Sequence, residues 1–178
     1  MSPTLRLKKN ANIHIGFMPN SIELNRQIIH SYLQFRTEDL LKRTHYFGGR
    51  YENLYLERER ISAIAMVLVQ AESYAKEVLN MQNKPLRSGF WINDMGPNEV
   101  TTEHDHDDYD EMLSGVYYVQ VPKDSGELLI RDQHSRTLVT PEAGMFVFFA
   151  PNVRHAVLEN LSGERRVSIG MNFGPMSA

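Results

Sequence analysis

The sequence predicts a mostly β fold, an eight-strand jelly roll, preceded by helices that pack on one of its sheets. The period of the apolar residues changes once along the 178-residue chain. In the first half they recur at three- and four-residue spacing, which is typical of amphipathic helices. From Ser88 onward they alternate with a period of two, in short segments separated by turn residues. This length fits a single domain, 1–178, with a mixed helical support region at 1–86 and a β core at 87–178.

The support region is expected to contain a short strand, a first helix and a longer second helix. The first strand is predicted over Asn12–Met18. Asn20 and Glu23 have the spacing of a capping box, which predicts a helix start at this point. A strand is possible at Leu54–Glu57, and the apolar stripe of 61–81 predicts the long second helix.

The β core is predicted from short alternating segments. Their ranges are Phe90–Asn93, Val116–Val121, Glu127–Arg131, Thr137–Thr140, Met145–Phe149, Ala156–Glu159 and Arg166–Phe173. Clusters of proline, glycine and polar residues separate them, for example Pro122–Gly126 and Pro141–Gly144. Together with a strand around His104, these segments predict an eight-strand double-stranded β-helix.

Composition indicates an ordinary globular protein. Hydrophobic residues make up 42% of the chain and charged residues 23%, and the formal net charge is −3. Neither nucleic acid nor an anionic membrane is therefore expected as a partner. The chain has no cysteine, which excludes disulfides and thiolate metal sites and is compatible with a reducing compartment. With no signal-like segment and no membrane-length apolar run, we expect a cytoplasmic protein, and a homodimer is possible.

The segment His104–Asp108, His-Asp-His-Asp-Asp, is the strongest indication of function. In an extended strand, residues two apart share a face, so His104, His106 and Asp108 can point the same way. His155 follows an apolar segment that ends in a turn, which places its imidazole at the mouth of a barrel. Nitrogen and oxygen ligands that leave open coordination positions suit divalent iron, manganese, nickel or zinc. We therefore predict a metal site.

Several motifs of the second half carry a resemblance to a known family. They are Gly89-Phe-Trp-Ile-Asn93, His104-Asp-His106, Leu113-Ser-Gly-Val-Tyr-Tyr-Val119, Ser125-Gly126, Pro141-Glu-Ala-Gly144, His155 and Arg166-Val-Ser168. In these motifs the chain resembles a small branch of the Fe(II)- and 2-oxoglutarate-dependent oxygenases. The resemblance implies a double-stranded β-helix in which Fe(II) is held by His104, His106 and His155.

The resemblance also implies a binding site for the co-substrate 2-oxoglutarate. Arg166 would bind its C5 carboxylate, since a planar guanidinium can grip a carboxylate in bidentate fashion. Ser168 lies on the same face of the strand, and Tyr118 and Asn93 are candidates for further hydrogen bonds. Dioxygen would be the oxidant, the prime substrate a small molecule or a peptide, and hydroxylation the most common outcome.

Three alternatives stay open at this stage. A second alignment makes His106 and Asp108 the first two ligands, with His155 as the third, although we prefer His104 and His106. A cupin-type enzyme would use a 3-His-1-Glu site with Glu111 as a ligand, whereas in the oxygenase Glu111 is expected to be a solvated loop carboxylate. The third alternative is a non-catalytic barrel that binds small molecules.

Overall fold

The structure, a computed structural model, describes residues 6–7, 13–106, 110–132 and 135–176. Within these residues lie two helices, α1 (Ser21–Tyr32) and α2 (Ser62–Val78). The strands that precede the barrel are β1 (Arg6–Leu7), β2 (His14–Phe17), β3 (Lys42–Phe47) and β4 (Arg50–Tyr55). The barrel strands are β5 (Leu86–Met95), β6 (Thr101–His104), β7 (Leu113–Gln120), β8 (Leu128–Arg131), β9 (Arg136–Val139), β10 (Met145–Phe149), β11 (Arg154–Val157) and β12 (Arg166–Pro175).

The strands form two antiparallel sheets. The order in the larger sheet is β1-β2-β10-β7-β12-β5-β4-β3, and the order in the smaller sheet is β6-β11-β8-β9. Each sheet therefore contributes four of the eight strands β5 to β12, which confirms the predicted jelly roll. The earlier strands extend the larger sheet at both ends, β1–β2 beside β10 and β3–β4 beside β5.

Two apolar cores stabilise this arrangement. The first lies between the helices and the outer face of the larger sheet, where Val67 of α2 and Ile169 of β12 are each 0% exposed. The second lies between the two sheets and includes Ile130 and Val147. Two neighbouring residues of β7 belong to different cores. Tyr117 packs in the first, where its hydroxyl donates to Asn25 Oδ1 of α1 at 2.6 Å, and Tyr118 packs in the core between the sheets.

One expectation for the N-terminal half was wrong, and one strand was not predicted. Asn20 precedes α1 with φ 54° and makes no capping hydrogen bond through its side chain, so the predicted capping box is absent. Glu23 instead accepts hydrogen bonds from Arg26 and Gln27. Strand β3 was not predicted because both of its faces are largely exposed, which removes the apolar alternation that marks a strand.

Two tight turns lie at the end of the barrel where β12 begins. The Asn160 side chain is 0% exposed and its Nδ2 donates to the carbonyls of Met95 at 3.1 Å and Glu164 at 2.8 Å, which fixes the turn before β12. Gly126 has φ +91°, and a Cβ there would lie 2.1 Å from the Leu158 carbonyl oxygen. Only glycine fits this position, and its carbonyl faces the interior beside β12.

Candidate metal centre

Three imidazoles meet at the open end of the barrel. Strands β6 and β11 pair in antiparallel fashion with His104 directly opposite His155. His106 follows two residues after His104, and its backbone N–H donates to the Pro151 carbonyl at 2.8 Å. The ring centroids are 4.3 Å apart for His104 and His155, 5.0 Å for His104 and His106, and 5.1 Å for His106 and His155. One nitrogen from each ring lies within 4.8 Å of the others.

The hydrogen bonds of two of these rings fix which nitrogen is free. His104 Nδ1 lies 2.7 Å from the Thr102 carbonyl oxygen, and His155 Nδ1 lies 3.1 Å from that of Val153. A carbonyl oxygen only accepts, so each Nδ1 carries the proton and donates it. The Nε2 lone pair of both rings is therefore available, which is the arrangement found in metal-binding histidines.

Burial keeps two of the imidazoles neutral. It lowers the pKa of His106 to about 4 and that of His155 to about 3, and the neighbouring His104 adds a smaller effect in the same direction. Both rings are then uncharged at neutral pH, as a metal ligand must be. Three imidazole nitrogens converging on one point fit a divalent transition metal such as Fe(II).

The structure tests only one of the two carboxylates, Asp108 and Glu111, that the alternative interpretations place in the metal site. Asp108 lies outside the described residues, so the choice of Asp108 in place of His104 stays a prediction. Glu111 is not part of the three-histidine group. Its side chain is only 10% exposed and lies 3.9 Å from Arg87 Nη1. The expectation of a solvated carboxylate was therefore wrong, and the cupin-type 3-His-1-Glu set is not assembled among the described residues.

A single cavity connects the imidazoles with the predicted co-substrate residues. Its lining includes all three histidines together with Arg166, Ser168, Tyr118 and Asn93. Ser168 of β12 lies opposite Asn93 of β5 and Tyr118 of β7 in the ladder, so these three side chains share one face of the larger sheet. Tyr118 lines the cavity, and its buried hydroxyl, which interacts with the Arg166 guanidinium, makes no hydrogen bond of good geometry among the described residues.

Arg166 lies deep in this cavity with a relative exposure of 2%. Its Nη1 donates to the carbonyls of Gly126 at 2.9 Å and Ser125 at 3.4 Å, and its Nε has no partner. The guanidinium carbon lies 5.1 Å from the centre of the Tyr118 ring. Among the described residues no carboxylate pairs with it, whereas the adjacent Arg165 points outward and pairs with Asp94.

Trp91 and Asn53 are among the residues that line the cavity but were not predicted as site residues. The indole of Trp91 lies 5.4 Å from the His106 ring and so close to Gly170 that a Cβ there would be 2.4 Å from Trp91 Cε2. Asn53 of β4 contributes an amide that donates to His45 Nδ1 at 3.0 Å. Trp91 has the same parity as Asn93, so strand alternation would have indicated it. Asn53 depends on the pairing of β4 with β3, which the sequence did not reveal.

Comparison with known proteins identifies the barrel. Residues 90–174 match the family model of the 2OG-Fe(II) oxygenase superfamily, where 2OG is 2-oxoglutarate. The match covers nearly the whole of the barrel, which is similar to that superfamily. The protein is therefore an oxygenase that uses Fe(II) and 2-oxoglutarate, which confirms the predicted enzyme class and cofactors. No curated protein sequence matches the chain.

Solved structures of this superfamily share the fold over nearly the whole chain. A Pseudomonas putida prolyl-4-hydroxylase is 18% identical, with a TM-score of 0.62 and coverage of 94% of this chain and 90% of that chain. The carbocyclase SnoK from nogalamycin biosynthesis is 14% identical, with a TM-score of 0.71 and coverage of 98% and 87%. A collagen prolyl hydroxylase of Paramecium bursaria Chlorella virus-1 is 14% identical, with a TM-score of 0.62 and coverage of 97% and 100%. At these identities the likeness establishes the fold alone.

The helices of this oxygenase are short or amphipathic. None of those in the described residues is long and apolar enough to cross a membrane.

Proposed function

We propose that His104, His106 and His155 hold the Fe(II) of this oxygenase, and that Arg166 binds the C5 carboxylate of 2-oxoglutarate. The prime substrate is a small molecule or a peptide. Hydroxylation is the proposed outcome, because prolyl hydroxylases recur among the structural neighbours.

The buried guanidinium of Arg166 carries this proposal. Placing a charge in a protein interior without a partner costs on the order of several kcal/mol, even after the surroundings relax. Arg166 has only neutral carbonyls as partners in the described structure, and it shares its cavity with three converging imidazoles. A dianion that reaches from the guanidinium to the metal satisfies both ends, and 2-oxoglutarate has carboxylates at its two ends.

The neighbouring polar groups suit the same ligand. Ser168 and Asn93 offer hydrogen-bond donors on the face that carries Arg166, and the buried Tyr118 hydroxyl makes no hydrogen bond of good geometry in the described part of the chain. A buried hydroxyl without a good hydrogen bond is costly, so it gains from a ligand oxygen within reach. These groups would orient 2-oxoglutarate along the face of the larger sheet.

Aromatic side chains enclose the metal end of the cavity. The Phe149 ring lies 4.7 Å from the His155 ring, and Trp91 lies beside His106. Bound Fe(II) would supply the oxidising chemistry with dioxygen, while these residues exclude water from it. The protein positions the metal and the co-substrate, and Arg166 at the deep end of the cavity sets how far 2-oxoglutarate enters.

An anaerobic titration tests the proposal. Adding Fe(II) and 2-oxoglutarate together should produce the weak visible charge-transfer band of the chelate, and neither should produce it alone. His155→Ala should abolish the band while leaving the fold intact by circular dichroism. Glu111→Gln is the matched control and should keep the band, because this carboxylate lies outside the histidine group. A wild-type protein that shows no band at millimolar 2-oxoglutarate would contradict the proposal.

A further inference from the structure

A buried carboxylate from the support region lies behind His104. Glu52 of β4 is 2% exposed. Its Oε1 accepts from the Thr102 backbone N–H at 3.1 Å, and its Oε2 accepts from Thr102 Oγ1 at 3.2 Å. The carbonyl of the same Thr102 accepts the Nδ1 proton of His104 at 2.7 Å. A chain of hydrogen bonds thus runs from Glu52 through one residue to the imidazole.

The position of β6 explains why this support matters. Strand β6 is the edge strand of the smaller sheet, and only β11 pairs with it. The N–H and C=O of a strand residue point to the same side. Both groups of Thr102 point to the open edge of β6. There Glu52 accepts a hydrogen bond from the N–H, and His104 donates one to the carbonyl. Glu52 therefore holds the open edge of β6 at Thr102, the residue to which the His104 imidazole is hydrogen-bonded.

A second residue of β4 fixes the start of the same strand. Arg50 Nη2 donates to the Val100 carbonyl at 2.8 Å and lies 3.8 Å from Glu52 Oε1. Its Nε pairs with Glu99 Oε2 at 3.0 Å. The β4 strand therefore bridges the two sheets beside the metal centre, through one carboxylate and one guanidinium that are both largely buried.

We propose that Glu52 is a positioning residue that orients His104 for metal binding through Thr102. The inference rests on the proposed role of His104 as a ligand. Two donors of Thr102 converge on Glu52, and an ionised carboxylate accepts from both at once. A glutamine has one accepting oxygen and turns its NH₂ group toward the second donor. Because the Thr102 hydroxyl also accepts, Glu52→Gln keeps the size of the side chain and both contacts, but it removes the negative charge that strengthens them.

The test measures the affinity for Co(II), with no substrate or turnover involved. Mutation of a hydrogen-bonding partner behind a metal ligand typically weakens metal affinity by about 10- to 100-fold. We expect Glu52→Gln to weaken Co(II) binding by this amount and to change the visible d–d spectrum of the bound ion. Thr102→Val removes only the Oγ1 contact and should have a smaller effect in the same direction, and it serves if Glu52→Gln does not fold.

Two controls separate positioning from a general structural role. Glu99→Gln perturbs the Arg50 end without touching Thr102, and should keep the wild-type spectrum and affinity. In a His104→Ala background, Glu52→Gln should have little further effect on affinity, within about twofold, because the residue through which it acts is gone.

The outcomes distinguish this inference from the proposed ligand set. If His104→Ala binds Co(II) like the wild type, the ligand set is wrong and the role of Glu52 falls with it. If His104→Ala weakens binding but Glu52→Gln and Thr102→Val do not, the ligand set stands and the positioning role is refuted. Equal effects of Glu52→Gln with and without His104 would also refute it.

Discussion

Replacing Arg166 with methionine should separate co-substrate binding from stability. Methionine keeps much of the length of the side chain and removes its charge. Loss of a charge-assisted bidentate contact should weaken 2-oxoglutarate binding by about 2–4 kcal/mol, which is roughly thirty- to a thousand-fold. The effect should fall on binding of 2-oxoglutarate and leave metal affinity unchanged, because Arg166 is not part of the histidine group.

The contacts of Arg166 allow the effect on stability to be worked out. Removing the guanidinium relieves the cost of a buried charge, which is on the order of several kcal/mol. It also removes two hydrogen bonds to the carbonyls of Ser125 and Gly126, each contributing about 1.5–3 kcal/mol because the donor is charged. The two terms are similar in size and opposite in sign. The free energy of unfolding of the ligand-free protein should therefore change by less than about 1.5 kcal/mol.

Two measurements check this prediction. Isothermal titration calorimetry under nitrogen measures 2-oxoglutarate binding to the Mn(II)-loaded protein, and urea unfolding measures stability without ligand. Arg165→Met is the matched control, since it removes the adjacent arginine from the exposed pair with Asp94 and should leave 2-oxoglutarate binding unchanged. Wild-type affinity in Arg166→Met would refute the anchoring role. A loss of about 3–5 kcal/mol of stability would instead indicate a structural ion pair.

Four other substitutions have defined outcomes. His104→Ala should abolish stoichiometric Fe(II) binding whereas Asp108→Ala should not, as measured by competition with a coloured chelator; the reverse result would make His106 and Asp108 the first two ligands. Tyr118→Phe should weaken 2-oxoglutarate binding by about 0.5–1.5 kcal/mol in calorimetry without lowering the melting temperature, because its hydroxyl makes no hydrogen bond of good geometry among the described residues. Glu111→Gln should keep wild-type Fe(II) affinity in the same chelator assay, and a large loss would favour the cupin-type site.

The barrel was predictable because its strands carry a local signal. Strand β10 was predicted with the bounds Met145–Phe149 that the structure has, since it is apolar throughout and bounded by turn residues. The long helix was predicted over 61–81 and observed over 62–78, because its buried stripe repeats with helical spacing. Strand β3 carries no such signal, since neither of its faces is buried in the described structure.

The contacts that complete the site had no counterpart in the sequence. Glu52 and Thr102 are 50 positions apart, and no periodicity links them. The carbonyls that accept hydrogen bonds from Arg166 belong to the backbone of Ser125 and Gly126. Every residue has a backbone carbonyl, so the residue types do not show which carbonyls face the cavity. The left-handed φ of Gly126 is the one exception, because it restricts that position to glycine. Alternation indicates which face a residue occupies, whereas these partners follow from how the two sheets close on each other.

The chain contains one tryptophan, and it is the indole that lies beside His106. Its ultraviolet emission therefore comes from a single place, the mouth of the metal cavity, with no background from other indoles. A paramagnetic ion bound by the three imidazoles would lie close enough to quench it, whereas a diamagnetic ion such as Zn(II) would mainly shift it. Occupancy of the centre should thus be readable in the native protein, without a label, from the loss of that one signal.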